Sequence, residues 1–306
     1  MRDWLGDRIL VLVTLAASLA AVAAMVLIAY KVIRGAHLAF TSFGLSFVWG
    51  TVWDTNKNVF GAAPGLYGTA VTSLIALVIA APLSLAIALF LSELAPRGVR
   101  TIVGALVEML AAIPSVVLGL WGILVMGPFV ADHIEPWLHR WFGFIPIFSG
   151  DPSSSGIFIA GLVLAIMVVP IVASVCRELF LSVPTELEEG ALALGATRWE
   201  MVRGVILSSS RPGIAAAIIL GLGRALGEAI AVTQVIGAGW VIHSSLFVPG
   251  DTLASRIAGQ YQTAVSKLQV SSLFYLAAIL LVIGLVTNLL AQLIVRRFEF
   301  QRTGGS

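Results

Sequence analysis

Three charged side chains, Glu108, Arg224 and Glu228, lie in stretches that otherwise read as hydrocarbon. An isolated Arg at the centre of a bilayer costs about 2.5–3.5 kcal/mol on insertion scales, so these groups are expected to face protein or water, not lipid. Arg224 and Glu228 are four residues apart, which places both on one face of a helix and lets them pair. Glu108 is expected to bring a second partner from a neighbouring helix. A guanidinium suits an oxyanion, because its planar fork donates two parallel hydrogen bonds. Two readings stand side by side: an internal ion pair that only fixes helix packing, and a polar face along the route of a charged solute. The second is the default for ionisable groups inside a membrane. Glu228 would repel the same anion, so its expected part is to hold Arg224 and weaken its grip, admitting the anion without trapping it.

A different chemistry is spelled by the polar interval from Thr185 to Val205. Thr185 with Glu188 and Thr197 with Glu200 each have the spacing of a capping box, so two short helices are expected. Gly195 between them suits the left-handed turn that closes the first, and Leu187, Ala191 and Leu194 share an apolar face. A compact helix pair between greasy stretches is either a docking knob, spanning about residues 184–204, or an interfacial loop skimming lipid headgroups.

The elements that must position these residues follow from composition. The 306 residues are 59% hydrophobic and 11% charged, with a mean hydropathy of +1.01, which excludes a soluble globular domain. The fold class is all-α membrane protein, one domain over residues 1–306. Six spans are expected, near Ile9–Tyr30, Leu66–Leu91, Ile102–Val130, Ile157–Leu181, Ile214–Ile236 and Leu273–Val295. The first is long enough to be read as a retained span, not a cleaved signal. With both termini in the cytoplasm, Arg2, Arg8, Arg97, Arg100, Arg177, Arg198, Arg203, Arg211, Arg296, Arg297 and Arg302 fall inside. Only Lys31, Arg34, Lys57, Arg140, Arg256 and Lys267 fall outside, the sense of the positive-inside rule. Trp49, Trp53, Trp137, Trp141, Phe142, Phe144, Trp240 and Phe247 are expected as interface anchors in the outer loops. Pro82, Pro114 and Pro170 should kink the second, third and fourth spans. Gly223 and Gly227 are spaced to admit a close helix neighbour.

Several functions are excluded. A net charge of +2 and dispersed basic residues offer nothing to nucleic acid. Cys176 is alone, so neither a disulfide within the chain nor a Cys-based metal or redox site is available. His133 and His139, near Asp132 and Glu135, read as a solvated loop rather than a metal site. No G-x-x-x-x-G-K-[ST] loop exists to hold ATP, and no nucleophile motif with a base marks an intramembrane enzyme. Gly221 to Gly227 only approximates a dinucleotide fingerprint and follows no strand.

Thr185 to Ser208 resembles the EAA loop of permease subunits of type I ABC importers: Glu189, Ala191, Gly195 and Leu207 match its pattern, whereas Gly190, Val205 and Ser208 depart from it. Gly221-Leu-Gly-Arg-Ala-Leu-Gly-Glu-Ala-Ile-Ala-Val-Thr-Gln-Val-Ile-Gly237 resembles the fifth-span signature of the phosphate-specific permeases of that class. Ala111 to Trp121 and Ser245 to Ser255 resemble the same family. The resemblance implies a six-span permease, itself not an enzyme and without cofactor, in a bacterial inner membrane. It implies four partners: a second permease subunit, an ATPase dimer that carries ATP and Mg, a periplasmic phosphate-binding protein, and inorganic phosphate as substrate. Arg224 and Glu228 then match substrate-pathway positions, with Glu108 added from its own position in the membrane. Glu186, Glu189, Ala191, Gly195, Thr197, Arg198 and Glu200 form the expected contact with the ATPase. A sister permease for sulfate or molybdate is the main rival. An ion-coupled secondary carrier is the other, although the inverted repeat expected of one is not visible.

Overall fold

The computed structural model describes residues 2–303, with side chains from 7 to 293. Arg2, Arg296, Arg297 and Arg302, which entered the charge count, lie outside the described side chains. In chain order the helices are α1 (Arg2–Phe43), α2 (Ser46–Trp49), α3 (Ala63–Leu89), α4 (Arg97–Ala112), α5 (Ser115–Trp121), α6 (Gly127–Phe129), α7 (Glu135–Phe142), α8 (Ile157–Leu181), α9 (Thr185–Ala193), α10 (Arg198–Met201), α11 (Leu207–Gly227), α12 (Ile230–Val235), α13 (Leu253–Gln260) and α14 (Lys267–Thr303). Strands β1 (Trp53–Asp54) and β2 (Val59–Phe60) pair antiparallel as a small hairpin. The hairpin marks one end of the bundle, and α9 with α10 marks the other, called here the hairpin end and the knob end.

Among the described residues six helical stretches are long and apolar enough to cross a membrane. The fourth, α8, is the axis of the bundle, with 78% of its apolar window inside the chain, whereas none of the corresponding window of α1 is covered. Small residues make the close packing around α8 feasible: Ala76 and Ala80 of α3 meet Ala160, Val163 and Val168 in one core. A side chain at Gly161 would sit 2.6 Å from Ile75, so any substitution there must push α3 away from α8.

Two spans differ from the hydropathy reading. The third is interrupted at Ile113, whose backbone is extended (ψ 127°) ahead of Pro114; the ring of a proline disfavours helical geometry in the preceding residue. Pro114 therefore ends α4 and starts α5, where a kink was expected. Pro82 and Pro170 do sit inside continuous helices. The fifth span is not Ile214–Ile236: a helical stretch runs from Arg198 to Gly227 through a π-turn at Val202–Ile206, then breaks at Glu228. The second of the two expected knob helices is thus the first turn of this long span.

The hairpin end is a packed module, not a set of interface loops. Trp53 contacts Phe60 and Trp240, and Phe247 is fully buried, which corrects the expectation that these three aromatics anchor the bilayer interface. Trp49, Trp137, Trp141 and Phe144 are exposed. Arg256, counted among the outer-loop charges, is likewise inside. Its Nε lies 2.7 Å from Asp251 Oδ2, and its guanidinium sits 4.3 Å from the centre of the Trp240 ring. Burial holds the Asp251 carboxyl above its usual range and lowers Arg256, each against the attraction of the other. Thr252 and Ser255 cap α13 reciprocally, and Leu253 N–H donates to Thr69 Oγ1 of α3 at 3.0 Å. Truncating one member of a desolvated pair strands the other, so Arg256→Ala should destabilise the module by about 3–5 kcal/mol. The check is a fall in the denaturation midpoint of the detergent-solubilised protein, partly recovered in Asp251→Asn/Arg256→Leu.

Candidate functional site: a half-open cavity around Arg224

The break after Gly227 gives the fifth span its chemistry. Glu228 is the residue at which the helix stops, with φ −72° and ψ 118°. Its carboxylate then serves two masters: Oε2 lies 3.5 Å from Arg224 Nη2, and Oε1 accepts from Ala231 N–H at 3.2 Å, at the start of α12. The pairing expected from the four-residue spacing is present, although the acid sits at a helix break rather than on a continuous helix. The two side chains differ in access: Arg224 is 50% exposed and Glu228 only 7%. The acid is anchored in the wall while the guanidinium reaches out of it.

That wall faces a cavity of about 870 Å³ between α11 and α14, with Gly223, Arg224 and Gly227 on one side and Leu280 and Gly284 on the other. A Cβ built at Gly223, Gly227 or Gly284 meets nothing within 4 Å. Among the described residues the pair Gly223 and Gly227 therefore seats no other helix of this chain; it leaves room beside Arg224. The close fit to α8 is made on another face of α11, where Gly221 sits against Val168 and Val172.

The broken halves of the third and fifth spans lie together. Gly119 of α5 is so close to α12 that a side chain there would stand 2.8 Å from the Cα of Ala231. The backbone irregularity is confined to a place lined by protein, as membrane-level breaks require. Thr233 of α12 donates to Ala229 O at 2.6 Å and lies 3.4 Å from Ser255 O, linking the segment beyond Glu228 to the hairpin-end module.

Glu108 is elsewhere. It lies on α4, its side chain is 66% exposed, and its partner is Arg177 near the end of α8, with Oε1 3.5 Å from Nη1. It neither pairs with Arg224 nor lines the cavity, which corrects the expected second partnership; hydropathy reported its depth but not which way the broken third span would turn it. The segment holding Asp132, His133, Glu135 and His139 is helical, not a solvated loop, and Glu135 is fully buried, accepting from Ser153 N–H at 2.8 Å.

At the knob end Gly195 has φ +89°, the left-handed turn expected of it. The Thr197–Glu200 capping box is complete: Thr197 N–H donates to Glu200 Oε2 at 2.8 Å and Glu200 N–H to Thr197 Oγ1 at 3.3 Å. The Thr185–Glu188 box is not formed. Pro184 occupies the cap position and its carbonyl already takes the Leu187 N–H, so Thr185 is the first helical residue. Burial, then repulsion from Glu93 and Glu189, raises the Glu188 carboxyl. Glu186, Glu189, Arg198 and Glu200 are all exposed, and Ala191 is half-buried. Large apolar side chains stand in the open among them: Leu194 is 92% exposed, and Leu187 and Trp199 are more than half exposed.

Sequence reasoning passed over Thr287, Asn288 and Gln292, which add polar groups to the α14 side of the cavity. Their signal was available, since uncharged polar residues at 288 and 292 share one helix face in a span of hydrocarbon.

The comparisons bear on the whole of this arrangement. Residues 82–300 match the family model described as binding-protein-dependent transport system inner membrane component. The phosphate transport system permease protein PstC of Pasteurella multocida is 44% identical over 273 residues, covering 88% of this chain and 85% of that one. The PstC of Xylella fastidiosa is 40% identical over 303 residues, covering 98% and 93%. Among solved structures, a bacterial alginate ABC transporter aligns with TM-score 0.61 at 19% identity over 97% of this chain and 95% of its own. The MetNI methionine ABC transporter aligns with TM-score 0.52 at 20% identity, over 77% and 93%. With six apolar helices, a helix break beside the cavity that Arg224 lines and likeness to PstC along nearly its full length, the chain belongs to the multi-pass inner membrane components of binding-protein-dependent transport systems, in the branch of the PstC permeases.

Proposed function

We propose that the chain is one permease subunit of an ATP-driven importer of inorganic phosphate, and that Arg224 meets the anion within the membrane. The observation that carries this reading is the half-exposed guanidinium on a roomy cavity wall, neutralised by a buried carboxylate. A free Arg would hold an oxyanion tightly; one already paired to Glu228 exchanges part of its attraction and lets the anion go. The relatives named PstC supply the substrate class.

The cavity is open on one side in the single chain, so a second, related permease closes it. Both termini lie in the cytoplasm, the knob end with them, and the hairpin end faces the binding protein that delivers phosphate. ATP and Mg act on a partner ATPase dimer. Exposed Leu187, Leu194 and Trp199 amid the charges of Glu186, Glu189, Arg198 and Glu200 make an amphipathic surface suited to docking such a partner. The helical stretch from Arg198 to Gly227 is about 45 Å long at 1.5 Å per residue, a strut from the knob to Arg224. It has two yielding points, the π-turn at Val202–Ile206 and Pro212. ATP-driven closure beneath Gly195 would tilt this strut and expose Arg224 alternately to the two sides.

Reconstitution with the co-purifying subunits in proteoliposomes tests the reading: ATP-dependent uptake of phosphate, with sulfate and molybdate left behind, is expected. Preferential uptake of either of those, or uptake that follows an ion gradient without ATP, would overturn it. Glu108 provides an internal contrast. Its carboxylate is 66% exposed and lies away from the cavity, where an ion pair contributes about 0–1 kcal/mol, so Glu108→Gln should keep phosphate uptake within about fivefold of wild type.

A further inference from the structure

We infer that Thr287, Asn288 and Gln292 of α14 form a second anion-binding station on the knob side of Arg224, built of neutral hydrogen-bonding groups that take over a tetrahedral oxyanion as it leaves the guanidinium. This rests on the reading that Arg224 conducts such an anion. α11 starts at the knob, whereas α14 starts at the hairpin end, where Ser266 Oγ donates to Asn58 Oδ1 at 3.0 Å. The two helices are therefore antiparallel. Of the α14 residues facing the cavity, Leu280 and Gly284 lie nearer the hairpin end, and Thr287, Asn288 and Gln292 continue toward the knob. From Gly284 to Gln292 the helix rises about 12 Å, so the polar groups extend the cavity's chemistry well beyond the reach of one side chain.

Their surroundings give them no other occupation. Asn288 and Gln292 are exposed, and among the described residues their side chains have no hydrogen-bond partner. Two amides on one face of a membrane span are costly against lipid and useful against water or solute. Their chemistry also suits a station past the cation: an amide NH2 and a hydroxyl donate to oxyanion oxygens without adding charge. A second guanidinium would deepen the well around the anion, whereas dipoles lower the barrier between Arg224 and the exit and leave the anion free to move on.

Cysteine substitution tests the station, because Cys176 is the only native cysteine and is buried. Asn288→Cys and Gln292→Cys would be made separately in the full complex. Inside-out vesicles would be treated with the membrane-impermeant anionic reagent 2-sulfonatoethyl methanethiosulfonate, alone and with phosphate, sulfate or molybdate. Labelling of both positions, slowed by phosphate and followed by loss of uptake, is the expected result. Failure to label, or labelling that none of the three anions slows, would overturn the inference. Protection by sulfate or molybdate in place of phosphate would uphold the station and remove phosphate as the substrate. If neither cysteine variant assembles, Asn288→Leu/Gln292→Leu decides. A complex that still co-purifies but imports at least about 10-fold more slowly, the loss expected when hydrogen bonds to a charged ligand go, supports the station. Recovery in Asn288→Gln would accompany it. Loss of the second permease from the Leu variant would instead assign these amides to a contact between permeases.

Discussion

Arg224→Ala should lower ATP-dependent phosphate uptake by at least about 100-fold, equivalent to ~2.7 kcal/mol of barrier, while the complex still assembles. Two losses add up. The anion forfeits charge-assisted hydrogen bonds of about 1.5–3 kcal/mol. It also meets Glu228 unmasked, since the carboxylate is 7% exposed and its nearest cation is the guanidinium removed. Assembly should survive because the Arg224 side chain is half exposed and the close fit of Gly221 against α8 does not involve it. Arg224→Lys should fall in between, keeping the charge but not the planar fork. The measurement is initial uptake in proteoliposomes at matched protein content; wild-type rates in the alanine variant would end the proposed role of this residue.

Leu194→Asp is expected to uncouple the permease from ATP hydrolysis with little effect on its own folding. Leu194 is 92% exposed in the single chain, so the substitution removes no internal contact. In a docked state the leucine would contribute about 1.5–3 kcal/mol by burial, and an aspartate in its place would be desolvated without a partner. A loss of ~3 kcal/mol corresponds to roughly a 150-fold weaker interface. Co-purification of the ATPase with the tagged permease reads this directly, and ATP hydrolysis stimulated by the loaded binding protein should fall with it. Gly195→Val separates contact from geometry. Apart from its immediate chain neighbours, no atom of the described residues stands within 4 Å of its Cβ position, so the cost is the backbone strain of a β-branched residue at φ +89°. Undiminished co-purification and stimulation in Leu194→Asp would remove the knob from the coupling mechanism.

Much of this molecule is written in short-range pattern. Hydropathy located six spans, because twenty consecutive apolar residues have no other stable home. Gly195 announced its turn, Thr197 and Glu200 their capping box, and Arg224 and Glu228 their pairing, since three- and four-residue spacings are decided by the helix itself. Even here a neighbour could interfere: Pro184 took the cap position and left the Thr185–Glu188 box unformed.

Contacts between distant segments were not legible in that way. Whether Glu108 would meet Arg224 or Arg177 depends on the break at Ile113 and on how α4 then lies against α8. Arg256 looked like one more loop charge until the fold enclosed it with Asp251, Trp53 and Trp240. Asn288 and Gln292 became part of a cavity only because α14 returns antiparallel beside α11, opposite glycines that hold it open. A helix turn repeats the same local geometry wherever it occurs, so spacing suffices to read it. The partner of a side chain across the bundle is set by the packing of whole helices, a sum over many weak contacts that no local pattern encodes.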